Sequence, residues 1–224
     1  MKFTVVVPAK DEAATLGPVL ESVRRVCEDV LLVDGHSKDA TAEIARSQGV
    51  TVILDNRKGK GDAIRSAIPH VRGDIVVFID ADGSHDPQDI HALITPIAEG
   101  RADLVIGSRM RGGSDELHGT PFEAIRLIGS TIITQVINLR FGANNTDYQN
   151  GFRAIRMEVL RALRLREDIT TIEQEMAIKT LKLGYSIVEV PSHEYARRGG
   201  QSKIRVLKVW HRYLWELVRD CFLW

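Results

Sequence analysis

Residues Ile75-Val76-Val77-Phe78-Ile79 form a continuous apolar run that ends in two carboxylates one residue apart, Asp80-Ala81-Asp82. A run of mainly β-branched side chains, bounded by Gly73-Asp74 and Gly83-Ser84, suits a strand covered on both faces of a parallel sheet. In such sheets ligands gather beyond the carboxyl ends of the strands. One strand period separates Asp80 from Asp82, so both carboxylates are expected on the same side, offering hard oxygens to Mg2+ or Mn2+. A solvated turn with Asp capping the next helix explains the same spacing equally well.

The rest of the first half repeats the pattern. Apolar runs at residues 3–7, 30–33, 50–54, 75–79 and 104–106 predict strands, with helical patterns between them. Leu16, Val19, Leu20 and Val23 recur at helical spacing within residues 13–26. Asp39 is placed to cap the helix that starts at Ala40-Thr41, and Gly49 to end it. Further on come a helix over 122–141, a turn-rich stretch over 142–151, a helix over 172–183 closed by Gly184, and a strand over 186–190. The expected fold class is α/β with a mostly parallel sheet flanked by helices.

A chain of 224 residues suits one such domain with a C-terminal appendage. Lys plus Arg equals Asp plus Glu at 30 each, so no global field points to nucleic acid. Cys27 and Cys221 lack partners at metal spacing, which fits structural thiols in a reducing compartment. The apolar stretch before Lys10-Asp11-Glu12 is too short for a secretory signal, so a cytoplasmic location is expected. The longest apolar region, residues 125–141, is interrupted by Gly129, Ser130, Thr131, Gln135 and Asn138, so a membrane role would be peripheral. No G-x-G-x-x-G follows the first strand, and Lys58-Gly59-Lys60-Gly61-Asp62 lacks P-loop spacing. That glycine-bearing turn can still bring Lys60 near a phosphate.

Three segments in order, Val5-Val6-Val7-Pro8-Ala9-Lys10-Asp11-Glu12, Val33-Asp34-Gly35-His36-Ser37-Lys38-Asp39-Ala40-Thr41 and Asp80-Ala81-Asp82, resemble the nucleotide-sugar half of inverting glycosyltransferases of family 2, which have the Rossmann-like GT-A fold. The resemblance continues through Gly107-Ser108-Arg109, Asp147-Tyr148-Gln149-Asn150-Gly151-Phe152-Arg153-Ala154, Glu175 and Arg197-Arg198-Gly199-Gly200-Gln201-Ser202-Lys203. These later segments look most like the dolichyl- or polyprenyl-phosphate hexose synthases, typified by the mannose synthases.

The resemblance implies a site. Pro8, Ala9, Glu12, Asp34, Lys60, Asp80, Ala81 and Asp82 would line the nucleotide-sugar pocket, with Asp34 at the base. Asp80 and Asp82 would hold Mg2+ or Mn2+ against the donor diphosphate, Asp82 above all. Arg109, Arg153, Arg197, Ser202 and Lys203 would meet the acceptor phosphate or form a lid over it. A lipid phosphate is already ionised and needs no general base, whereas a hydroxyl acceptor does; Asp147, then Glu175, are the residues for that task. The chain departs from the synthase pattern at Gly83-Ser84, where many relatives carry Leu-Gln and hence another oxygen near the metal. His85, beside Asp86-Pro87, is expected to be a surface or capping residue outside the metal site.

Residues 204–224 place Leu207, Trp210, Leu214, Leu217 or Val218, and Cys221 on one helical face, with Arg205, Lys208, Arg212 and Arg219 largely elsewhere. Such a helix suits an anionic membrane surface, or else packs on its own domain. Residues 1–203 are accordingly expected to form the transferase domain and 204–224 an amphipathic helix. The expected activity is metal-dependent transfer of a hexose from a nucleoside diphosphate sugar of the GDP-mannose or UDP-glucose type to dolichyl or polyprenyl phosphate, with inversion, at the cytoplasmic membrane face. A saccharide acceptor, or sugar-nucleotide binding without turnover, are the alternatives; a nucleotidyltransferase would need a glycine-rich loop after strand one. Donor base, hexose and oligomeric state are left open.

Overall fold

Alternating side chains along the strands divide between two apolar layers, which is why these runs form the centre of the molecule. The computed structural model describes residues 1–116, 121–197 and 206–223. In chain order the elements are β1 (Phe3–Ala9), α1 (Ala13–Arg24), β2 (Val30–Asp34), α2 (Thr41–Ser47), β3 (Thr51–Leu54), α3 (Lys60–Ala67) and β4 (Ile75–Phe78). There follow α4 (Ile90–Ala98), β5 (Leu104–Ser108), the single-turn α5 (Arg109–Gly112), α6 (Pro121–Phe141), β6 (Arg153–Arg156) and α7 (Met157–Ala162). Last come α8 (Ile172–Lys182), β7 (Ile187–Pro191) and α9 (Val206–Val218), which runs into a π-helical turn at Arg219–Leu223.

The strands form one sheet in the order β3-β2-β1-β4-β6-β5-β7. Neighbours are parallel except β6, which runs antiparallel to both β4 and β5. Val5, Val7, Leu32 and Val77 point into a layer closed by Leu16, Leu20, Ile90 and Leu93 of α1 and α4. Val6, Val33, Val76 and Phe78 point into the other, closed by Ile64, Ile172, Met176 and Leu217 of α3, α8 and α9. Each such side chain contributes about 1.5–3 kcal/mol by leaving water. Asp39 stands one residue before the N-cap, which is Ala40; one of its oxygens still accepts the Thr41 amide at 3.0 Å, and the other accepts the Ala13 amide at 3.0 Å, tying α2 to α1.

Three sequence expectations need correction. β4 ends at Phe78, so Asp80 and Asp82 share a turn rather than one edge of a strand. β6 was not anticipated, because Arg-Ala-Ile-Arg has no strand-like alternation; it exists because β4 and β5 pair with it on both sides. The apolar stripe of the C-terminal helix is divided. Leu217 and Cys221 lie in the same buried cluster as the sheet, whereas Trp210 is 58% and Leu214 50% exposed. Arg212 and Arg219 turn to the domain and pair with Glu167. Beside them Glu216 accepts from Gln174, and burial together with Asp220, Glu175 and Glu167 pushes its carboxyl up to about 10. The described part of residues 204–224 thus packs on the domain through Leu217 and Cys221 and leaves Trp210 and Leu214 outward.

Candidate active site

The carboxyl ends of β1 and β2 and the turn after β4 open on one side of the sheet, and a cavity of about 470 Å3 lies there. Val6 pairs with Phe78, so the chain beyond β4 reaches the level of Pro8 and Ala9. Pro8, Ala9, Glu12, Lys60, Asp80, Ala81, Asp82 and Arg197, all expected from the sequence, line it. Asp34 does not. Its buried carboxylate accepts the Ser37 hydroxyl at 2.5 Å and the Ser37 amide at 3.1 Å, and so shapes the loop that brings Gly35 to the wall. Asp55, just beyond β3, is the carboxylate that reaches the cavity there.

A second cavity of about 580 Å3 opens between α6 and α9. Buried Glu173 and Glu194 line it together with Arg109, Arg126 and Arg197, and Ile125, Ile132, Trp210 and Leu214, each at least half exposed, mark its outer edge. Lys60, Asp80, Thr170 and Arg197 line both cavities.

At this shared wall charges are paired. Lys60 Nζ lies 2.6 Å from Asp80 Oδ1 and 2.9 Å from Glu173 Oε1. Burial opposes the Lys60 charge, but the two carboxylates outweigh it and hold the ammonium above its ordinary range. Burial opposes the Asp80 charge as well, and Lys60 reverses that, so the carboxyl is held below the usual range. Asp82 accepts from the Ser84 hydroxyl at 2.7 Å and lies 3.3 Å from Arg197 Nη1. Ser84, at the departure from the synthase pattern, therefore supports Asp82 directly.

His85 is not a surface residue. It is 5% exposed, stacks on Phe152 at 4.9 Å between centroids, and among the described residues its Nδ1 has no hydrogen-bond partner. Burial lowers its pKa. Asp86 is the capping residue, accepting the Gln88 amide at 2.9 Å.

Arg109 lines the second cavity, aimed by Asp147 beneath it; Asp147 itself reaches neither cavity. Arg153 and Glu175 are not brought to the site. Arg153 is buried, lines neither cavity, and spends most of its N–H groups on the carbonyls of Tyr148, Asn150 and Glu173; burial moves its pKa down to about 10. Glu175 accepts the amides of Arg166 and Glu167 at 2.9 Å each and pairs with Lys179, so it fixes a loop. The helix explains the outcome: residues two apart point roughly 200° apart, so Glu173, not Glu175, faces Lys60. Ser202 and Lys203 lie outside the described residues.

Glu173, Glu194, Arg126 and Asp55 were missed because single charged residues on helices and at strand ends carry no sequence signal. Among the described residues no group of three or more His, Cys, Asp or Glu converges as a cation site. Asp80 and Asp82 supply the hard oxygens that Mg2+ or Mn2+ takes, so the donor chemistry fits such an ion with its other ligands coming from elsewhere.

The description "Glycosyl transferase family 2" matches residues 4–164. The chain belongs to that family. It is 31% identical over 201 residues to the glycosyltransferase AglJ of Haloferax volcanii, covering 88% of this chain and 64% of AglJ. It is 33% identical over 223 residues to an undecaprenyl-phosphate mannosyltransferase of Micrococcus luteus, covering 91% and 88%. Glucosyl-3-phosphoglycerate synthase of Mycobacterium tuberculosis, crystallised with Mn2+, UDP and glucosyl-3-phosphoglycerate, superimposes with a TM-score of 0.76 at 22% identity, over 98% of this chain and 80% of that one. The family 2 chain thus has the GT-A fold, and the chemistry for which its family is named is glycosyl transfer. No described helix is long and apolar enough to cross a membrane.

Proposed function

We propose that this family 2 transferase moves a hexose, with inversion, from a nucleoside diphosphate sugar to a dolichyl or polyprenyl phosphate at the cytoplasmic face of a membrane, using Mg2+ or Mn2+. The observation that carries the reading is the wall of Lys60, Asp80, Thr170 and Arg197 common to a cavity lined by many charged side chains and to one with apolar walls and three arginines. A donor in the first cavity would present its sugar across that wall. An acceptor with an anionic head and an apolar tail matches the second. The name of the Micrococcus relative supports a lipid phosphate, and the Mn2+ and UDP of the Mycobacterium enzyme support the donor side.

In this reading Pro8, Ala9 and Glu12 hold the nucleoside. A divalent cation held by Asp80 and Asp82 would offset the charge of the leaving nucleoside diphosphate. Arg109 and Arg126 take the acceptor phosphate. Arg126 suits this especially, since among the described residues it has no carboxylate partner while Lys60, Arg109 and Arg197 each have at least one. The phosphate attacks as an anion, so positioning replaces general-base catalysis. That agrees with the engagement of Asp147 and Glu175 in other bonds.

Incubation with radiolabelled GDP-mannose or UDP-glucose and polyprenyl phosphate is expected to give an organic-phase product that Asp82→Asn abolishes. Arg126→Ala should raise KM for the lipid phosphate about tenfold without changing that for the donor. Label passing to a saccharide instead, or no transfer from either donor, would overturn the reading.

A further inference from the structure

Lys60 occupies a position with one closed side and one open side. Its ammonium bridges Asp80 and Glu173, and a Cβ on Gly151 would fall 2.5 Å from Nζ and 3.0 Å from Asp80 Oδ2, so the cluster is pressed against the Gly151 backbone. The other side faces both cavities. The two carboxylates differ: the Glu173 side chain is 3% exposed, whereas that of Asp80 is 29% exposed and stands beside Asp82 in the turn that fits a cation.

We propose that Lys60 is an exchangeable counter-ion that couples cation binding to donor binding: it holds Asp80 while the site is empty, and gives Asp80 up when a divalent cation and a nucleoside diphosphate enter together. This rests on the donor-site reading above. Lys60 keeps Glu173 as its anchor throughout, so its charge is never left bare in a partly buried place. Freed from Asp80, the ammonium turns its remaining donors to the diphosphate, for which a point charge on a flexible stem is suited. Without the nucleotide, an incoming cation must break the Lys60–Asp80 pair and Lys60 gains nothing in return. With it, the broken pair is replaced. Cation and nucleotide therefore favour one another through this side chain, and the coupling is reciprocal.

A charge that merely sat nearby would weaken cation binding and strengthen nucleotide binding by fixed amounts, leaving their coupling unchanged. The cycle separates the two cases. Mn2+ affinity is measured by the electron paramagnetic resonance of free Mn2+, with and without UDP or GDP, in the intact wild-type chain and in Lys60→Met. The expected result is that Lys60→Met binds Mn2+ alone more tightly, binds it with nucleotide more weakly, and shows a nucleotide-induced gain reduced about tenfold. Should Lys60→Met fold poorly, Lys60→Met/Glu173→Gln removes the stranded carboxylate and is expected to show the same reduced gain. An unchanged gain in the variants, with wild-type cooperativity intact, overturns the exchange and leaves the donor site standing. Failure of wild type to bind Mn2+ even with nucleotide overturns both.

Discussion

Arg109 clasps Asp147 in a two-pronged fork, with Nε 2.7 Å from Oδ2 and Nη2 3.0 Å from Oδ1. Burial favours the neutral acid, but Arg109 outweighs it and holds the Asp147 carboxyl below its usual range. A carboxylate lowered by its own guanidinium partner is a weaker proton acceptor than a free one, and its bonds to Arg109 suit aiming that side chain. Asp147→Asn is expected to cost about 3 kcal/mol of stability in urea titrations, because one partner of a buried pair is lost. The folded pKa lies below the unfolded one. The contribution is therefore complete above the unfolded value of 3.8 and vanishes as pH falls through the folded one, so the gap between wild type and variant should close on acidification.

Glu175 separates structural from catalytic roles. It is 0% exposed, and its oxygens receive two backbone amides and Lys179. Glu175→Ala should lower stability by about 3 kcal/mol through those stranded partners. The rate per folded molecule should stay within about twofold of wild type, read from active-site titration against the melting curve. A large fall in rate without loss of stability would return Glu175 to the chemistry.

His193 and Asp115 link the two loops that lead to Glu116 and Arg197. The imidazole Nε2 lies 2.9 Å from Asp115 Oδ1, and Asp115 also accepts the Ala196 amide. The Gly112 carbonyl, then Asp115, raise the His193 pKa, while His193, then the Ala196 amide, lower that of Asp115. The His193 contribution is complete below its unfolded value of 6.5 and lost as pH rises through the raised folded value. That of Asp115 is complete above 3.8 and lost as pH falls through its lowered value. Protection against hydrogen exchange at residues 194–197, taken relative to the intrinsic rate at each pH, should be greatest between 3.8 and 6.5, and Asp115→Asn should lower the His193 pKa seen by NMR.

The exposed edge of the second cavity invites a lipid surface. Trp210 and Leu214 of α9 stand beside Ile125 and Ile132 of α6, all at least half exposed. Trp210→Glu with Leu214→Glu should weaken sedimentation with anionic liposomes at least about tenfold, since each apolar side chain transfers about 1.5–3 kcal/mol. The folded core should be unaffected, because Leu217 and Cys221 carry the packing of that helix. Undiminished sedimentation would exclude this edge as the contact.

What the sequence determined was the local order. Continuous β-branched runs at Val5-Val6-Val7 and Ile75-Val76-Val77 can be satisfied only between two apolar layers, which dictates a parallel sheet and brings their carboxyl ends to one side. The resemblance of the motifs to family 2 adds Pro8, Ala9, Lys60, Asp80 and Asp82 as one expected group, and these residues line one cavity. Tertiary structure alone decided what each charge does. Arg153 and Arg109 are both cations in glycine-bearing motifs, yet one is consumed by carbonyls inside the sheet and the other reaches a cavity. Glu173 and Glu175 differ by two residues, and only the helix phase sends the first to Lys60. His85 became buried against Phe152 because β6, unseen in the sequence, follows that residue in the sheet. Periodicity records which side chains must leave water. The partner of a charge depends on distant segments, and so is fixed only when the chain closes on itself.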